Sequence, residues 1–144
     1  MNRDSKIKLF LVDDDAVFLK LLEIEFLNFD IFNVQTYLTG EDCLEHLKEY
    51  PDMIVLDYQL DGTNKNAMNG IETLDKIKEY NKDIPVIMLS AQDKIEVAIN
   101  CMHHKASDYV VKSETSFMRL KNIITSILGY KKVKDELNWY MSRM

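Results

Sequence analysis

Cysteine is scarce in this 144-residue chain: Cys43 and Cys101 are the only two, and they lie far apart. Their separation matches no metal-ligand or redox spacing, so both are expected as buried thiols in a reducing cytoplasm. No apolar run approaches the length of a membrane span, and the opening MNRDSKIKLFLV turns acidic too soon for a signal peptide. Four glycines and two prolines go with the lack of any linker, low-complexity stretch or internal repeat. Basic residues are outnumbered: 18 lysines and arginines against 24 aspartates and glutamates leave a net charge of -6. Without a basic stripe, general nucleic-acid binding is excluded. What remains is an ordinary globular composition, 47% hydrophobic and 29% charged, long enough for one domain with a real core.

Strand-like and helix-like stretches alternate along the chain. Ile7 to Val12 (IKLFLV) is a nearly continuous apolar run, as a strand buried on both faces requires. From Asp15 the period lengthens to three and four residues, through Val17, Phe18, Leu21, Leu22, Glu25 and Phe26, which predicts a helix. Asn33 to Leu38 is a weaker strand, Gly40 to Tyr50 a helix stopped by Pro51, and Met53 to Asp57 a second buried strand. A long polar loop from Tyr58 to Asn69 leads into a helix after Gly70. Ile84 to Ser90 and Asp108 to Lys112 read as strands, with helices at Lys94 to His104 and Ser116 to Tyr130. The tail GYKKVKDELNWYMSRM is helical in pattern and lies beyond the repeating unit. Five strands, each followed by a helix, specify an α/β domain with a parallel sheet and helices on both faces.

In such sheets, ligands bind beyond the carboxyl ends of the strands. The first strand ends in Asp13 and Asp14, the third in Asp57, the fourth in Ser90 and the fifth in Lys112. The second ends in Thr39 and Gly40 and offers nothing comparable. Each residue has a structural role open to it alone. Asp15 suits a helix N-cap, as does Ser90; Asp57 could cap a loop, Lys112 could end in solvent, and Tyr109 could be part of the core. Together they imply more. Three carboxylates facing one small volume need a cation to stay ionised, and hard oxygen ligands select Mg²⁺. A carboxylate can attack phosphorus, while an ammonium and a hydroxyl can bind the oxygens of the transferring group. The set fits a Mg²⁺-assisted phosphoryl acceptor.

The stretches LFLVDDD, DMIVLDYQL, IPVIMLSAQD and ASDYVVKS make the chain, from about Lys6 to Leu128, resemble a response-regulator receiver domain of two-component signalling. That resemblance implies a flavodoxin-like, five-stranded parallel sheet in the order 2-1-3-4-5, the order of the chemotaxis receiver. It implies a receiver domain over residues 1–128 and a C-terminal helical extension over 129–144. Asp57 would be the phospho-acceptor. Asp14 would ligate Mg²⁺ directly and Asp13 through water, with Asp57 and the backbone carbonyl of Gln59 completing the protein's share. Ser90 and Tyr109 match the switch hydroxyl and aromatic, Lys112 the lysine that meets the phosphoryl group, and Ala91 the small residue that leaves it room. A sensor histidine kinase or histidine phosphotransfer protein would donate the phosphoryl group. A downstream output protein or an output domain outside this chain would read the result, with phosphorylation-dependent dimerisation a further route. No enzymatic turnover beyond self-phosphorylation and autodephosphorylation is implied, and the setting would be cytoplasmic.

Three positions depart from the family pattern. Ser113 follows Lys112 where a proline, often cis, is usual; QLDGTNKNAMNG replaces a shorter loop; Lys105 stands where glycine is usual. Asp61 to Glu72 has EF-hand length, but Lys65 replaces a ligand and Asn66 the required glycine, which rejects it. DDDAV also resembles the nucleophile motif of haloacid dehalogenase-like phosphohydrolases, with Asp13 as nucleophile and Asp15 as acid/base. That reading leaves Asp57 without a role and lacks a later strand with an acidic pair. An interaction module that never carries phosphate is the third alternative. In the tail, Val133, Leu137, Tyr140 and Met141 form an apolar stripe that could pack back, lead into an output domain, or pair with a second copy. The division of the acidic triplet is testable by phosphorylation assay: Asp15→Asn should retain phosphoryl uptake and Asp14→Asn should lose it, and the reverse outcome refutes the division.

Overall fold

The computed structural model describes residues 6–143, and of residues 130–136 the backbone only. Five strands, β1 (Ile7–Val12), β2 (Phe32–Tyr37), β3 (Met53–Asp57), β4 (Val86–Ser90) and β5 (Asp108–Val111), form one sheet in the order β2-β1-β3-β4-β5. All four pairings are parallel. Five helices connect or follow them: α1 (Ala16–Leu27), α2 (Gly40–Glu45), α3 (Gly70–Tyr80), α4 (Ile95–His103) and α5 (Ser116–Ser142).

Alternation along the strands divides the core into two layers. Leu9, Leu11, Met53, Val55, Ile87, Leu89 and Val110 face Leu19, Leu22 and Phe26 of α1 and Phe117, Leu120 and Ile124 of α5. Phe10, Val12, Ile54, Leu56, Val86 and Met88 face α2, α3 and α4 through Cys43, Leu74, Ile77 and Cys101. Both faces of the central strands are therefore apolar, which is why they read as unbroken runs. Cys43 and Cys101 are free and fully buried in the second layer.

Element limits shift where local chemistry intervenes. The helix expected over Gly40 to Tyr50 stops at Glu45; Leu47–Glu49 tighten into a 3-10 turn, and Tyr50 turns left-handed at φ 60°. Pro51 disfavours the helical region for the residue before it, so the helix cannot run on. β4 starts at Val86 because Pro85 has no N–H for the ladder. β2 begins one residue early, at Phe32, which is buried and packs edge-on to Phe26 at 5.0 Å. The tail joins α5 as one helix of 27 residues, about 40 Å long at 1.5 Å per residue. The position after Leu128 lies inside this helix. Leu137, Tyr140 and Met141 are exposed, so these three do not pack back on the domain; Val133 and Met144 lie outside the described side chains. No helix among the described residues is long and apolar enough to cross a membrane.

The turn at Lys105 is a Schellman cap. Lys105 N–H donates to Met102 O at 3.0 Å, and Ala106 N–H donates to Cys101 O at 3.1 Å. Lys105 carries the left-handed φ of 77° that this motif demands and that glycine adopts without strain. Ala106 and Cys101 supply the apolar contact across the cap. Lys105→Gly should therefore raise stability by about 0.5–1 kcal/mol, read as a higher denaturant midpoint with an unchanged slope; a lower midpoint would refute this account of the turn.

Candidate functional site

The sheet register assembles the site. Val12 lies opposite Leu56, Asp57 opposite Leu89, and Ser90 opposite Val111. The residues at or just past these ends, Asp13, Asp57, Ser90 and Lys112, thus line up along one edge of four adjacent strands. β2 lies outside this set as the edge strand, and its Tyr37 carbonyl accepts the Asp13 N–H at 3.1 Å.

Asp13 and Asp57 are only 2% and 3% exposed. One carboxylate oxygen from each of Asp13, Asp14 and Asp57 lies within 4.8 Å of the others. Lys112 Nζ sits 2.8 Å from Asp13 Oδ2 and 3.6 Å from Asp57 Oδ1, and 4.6 Å from the centre of the Phe18 ring. Asp13 Oδ1 accepts the Asp15 N–H at 2.9 Å. Asp13 Oδ2 is buried and, apart from the lysine charge, has no aligned hydrogen-bond donor. Burial, then the Asp13 charge, push the Asp57 carboxyl up to about 8; Lys112 and the Gln59 N–H oppose this without cancelling it. Burial alone would lower Lys112, but Asp13 and Asp57 outweigh it and hold the ammonium above its ordinary value.

The donor set suits a hard divalent cation. Three carboxylates face one ammonium, so the site carries excess negative charge, and it opens into a pocket of about 500 Å³. Asp14, Asp57 and Gln59 line that pocket, with Ala91 and Lys112, and Asp13 Oδ2 is a buried acceptor short of donors. All-oxygen chemistry of this kind fits Mg²⁺.

Asp15 is set apart from its neighbours. Its Oδ1 accepts the Phe18 N–H at 3.1 Å and caps α1. Ser90, 1% exposed, accepts the Gln92 N–H at 3.0 Å, while the Tyr109 hydroxyl donates to the Gln92 carbonyl. Ser90 and Tyr109 are therefore joined through one residue, Gln92. The Lys112–Ser113 peptide is trans, as are all peptides among the described residues. In place of proline, Ser113 shapes the turn by hydrogen bonds: its N–H donates to Ser116 Oγ at 2.8 Å, and that hydroxyl donates to Ser113 O at 2.9 Å.

Two participants were not apparent from sequence. Phe18, part of the periodic pattern that predicts α1, also lies under the Lys112 charge. Thr63, in the middle of the long loop, donates its N–H and its hydroxyl to Asp14 Oδ2, each at 3.1 Å. Periodicity carries no signal for either contact.

A family model described as the response regulator receiver domain matches residues 9–125. The chain belongs to this family. The receiver is 34% identical over 116 residues to a protein-glutamate methylesterase/protein-glutamine glutaminase of Clostridium acetobutylicum, covering 78% of this chain and 32% of that protein. It is 30% identical over 125 residues to the transcriptional regulatory protein ZraR of Salmonella typhimurium, covering 87% of this chain and 27% of that one. The chain thus spans a third or less of these relatives. Among solved structures, a chain of the CheX-CheY-BeF3-Mg+2 complex from Borrelia burgdorferi superposes with a TM-score of 0.73 at 26% identity, covering 85% of the receiver and 89% of that chain.

Because the folded-state pKa of Asp57 is raised, the receiver without metal loses stability as pH rises from the ordinary carboxylate range to about 8. Asp57→Asn removes that loss. In thermal unfolding with a chelator present, the variant should melt several degrees above wild type at pH 8, and the two curves should converge towards pH 4. Parallel curves across this range would refute the assigned burial of the charge.

Proposed function

We propose that Asp57 is the phospho-acceptor of a two-component pathway, taking its phosphoryl group from a phosphohistidine of a sensor histidine kinase or histidine phosphotransfer protein. The observation that carries this reading is the convergence of Asp13, Asp14, Asp57 and Lys112 on one mouth, with Asp57 reaching the pocket. The likeness to a chain from a complex solved with BeF3 and Mg+2 supports the same chemistry. Asp13, Asp14 and Asp57, with the Gln59 carbonyl, are the residues that would hold Mg²⁺. When bound there, Mg²⁺ supplies positive charge to the oxygens of the transferring group.

In the transfer, an Asp57 oxygen bonds to phosphorus as the nitrogen–phosphorus bond breaks and the imidazole departs. Lys112, already beside Asp57, faces the same phosphoryl oxygens and offsets their charge. The new charge attracts the Ser90 hydroxyl, which gives up its bond from Gln92. Because Gln92 also holds the Tyr109 hydroxyl, Tyr109 is released to repack against α4. The exposed Ile95, Ile99 and Met102 of α4 are available for a downstream output protein, an output domain or a second copy.

The dehalogenase-like alternative is not favoured. Asp13 is ion-paired to Lys112 and does not line the pocket, and the Asp15 carboxylate caps α1. Intact-mass spectrometry after incubation with acetyl phosphate and Mg²⁺ tests the proposal. Wild type should gain one phosphoryl group, lost in Asp57→Asn and on adding excess chelator. Persistence of the adduct in Asp57→Asn would overturn the assignment.

A further inference from the structure

We propose that Thr63, in the extended loop, is a positioning residue that holds Asp14 oriented as a Mg²⁺ ligand. The inference rests on the Mg²⁺ site proposed above and goes beyond it by giving the loop a function.

The segment from Tyr58 to Asn69 is held at several points. Leu60 is 1% exposed and anchors its start in the core. At its tip the Asn66 N–H donates to Asn64 Oδ1 at 3.0 Å, and the Ala67 N–H donates to Asn64 O at 3.0 Å. The Met68 N–H donates to Glu41 Oε2 of α2 at 2.8 Å, and Asn69 and Glu72 form a reciprocal capping box at the start of α3. Gly70 closes the segment where a side chain could not fit, since a Cβ there would stand 2.4 Å from the Asp57 carbonyl oxygen.

These anchors bring Thr63 over Asp14. Gly62 permits the approach, because a Cβ on it would lie 3.1 Å from Asp14 Oδ2 and 3.7 Å from the Gln59 carbonyl oxygen. The N–H and hydroxyl of Thr63 both donate to that carboxylate oxygen, each at 3.1 Å. Among the described residues they are the only hydrogen bonds to the Asp14 side chain. Two donors on Oδ2 fix the orientation of the carboxylate and leave Oδ1 for a cation. Outer-shell hydrogen bonds of this kind typically change metal affinity about 10–100-fold. By linkage, a cation held on Asp14 strengthens the hold on the loop to the same degree.

Mg²⁺ alone is the probe, titrated calorimetrically into the full chain, with thermal unfolding in chelator confirming that each variant folds. Thr63 is exposed, so its replacement should leave that fold intact. Thr63→Val keeps the shape and the N–H and removes the hydroxyl; it should bind Mg²⁺ about 10-fold more weakly. Thr63→Ser restores the hydroxyl and should restore affinity. In wild type, Mg²⁺ should slow amide hydrogen exchange across residues 60–69, and much less in Thr63→Val. If Thr63→Val binds as tightly as wild type or more tightly, while Asp14→Asn abolishes binding, the role of Thr63 is overturned and the metal site stands. If wild type binds no Mg²⁺, or Asp14→Asn binds like wild type, both fall.

Discussion

Parallel register sets Asp13 beside Asp57 where their strands end, and burial leaves water little access to either. Two unit charges about 4 Å apart repel by roughly 4 kcal/mol at an effective dielectric of 20. A whole domain is stable by only about 5–15 kcal/mol. The repulsion is therefore large on the scale of the fold, and neighbouring groups are arranged to relieve it. Lys112 bridges the two carboxylates, the Asp15 N–H meets the remaining oxygen of Asp13, and the Asp57 carboxyl holds its proton to about pH 8. Charge left over by this arrangement is what a divalent cation would offset.

The scaffold can carry that strain because the edge is clamped from both sides. α1 and α5 fill one face of the sheet, while α2, α3 and α4 fill the other, so the strand ends have little freedom to separate. Family departures are met by local hydrogen bonding with the fold intact. Lys105 takes a glycine's place in a Schellman cap at the cost of a left-handed φ. Ser113 and Ser116 bind one another where a proline is usual. The longer loop is fastened to α2, to α3 and to Asp14.

Much of this was legible in the residues. Nearly continuous apolar runs marked β1, β3 and β4, because a strand buried on both faces has little polar side to show. Asp15 stood out as a cap from its place before the first helical period, and its side chain does cap α1. The Gly40 to Tyr50 helix was overextended, because apolar spacing does not report the conformational restriction that Pro51 places on Tyr50. The long loop carried no period at all, so nothing in its composition linked Thr63 to a carboxylate 49 positions away.

The sequence by itself determined the alternation of elements, the two-sided core and the identity of the residues at each strand end, since these follow from periodicity and local steric preference. Only the tertiary structure decided how those ends share charge. It paired Asp13 with Lys112, left Asp57 and Asp14 lining the pocket, and brought Thr63 onto Asp14. The reason is physical: burial, electrostatic coupling and loop anchoring depend on distances across the fold, and sequence order does not encode them one residue at a time.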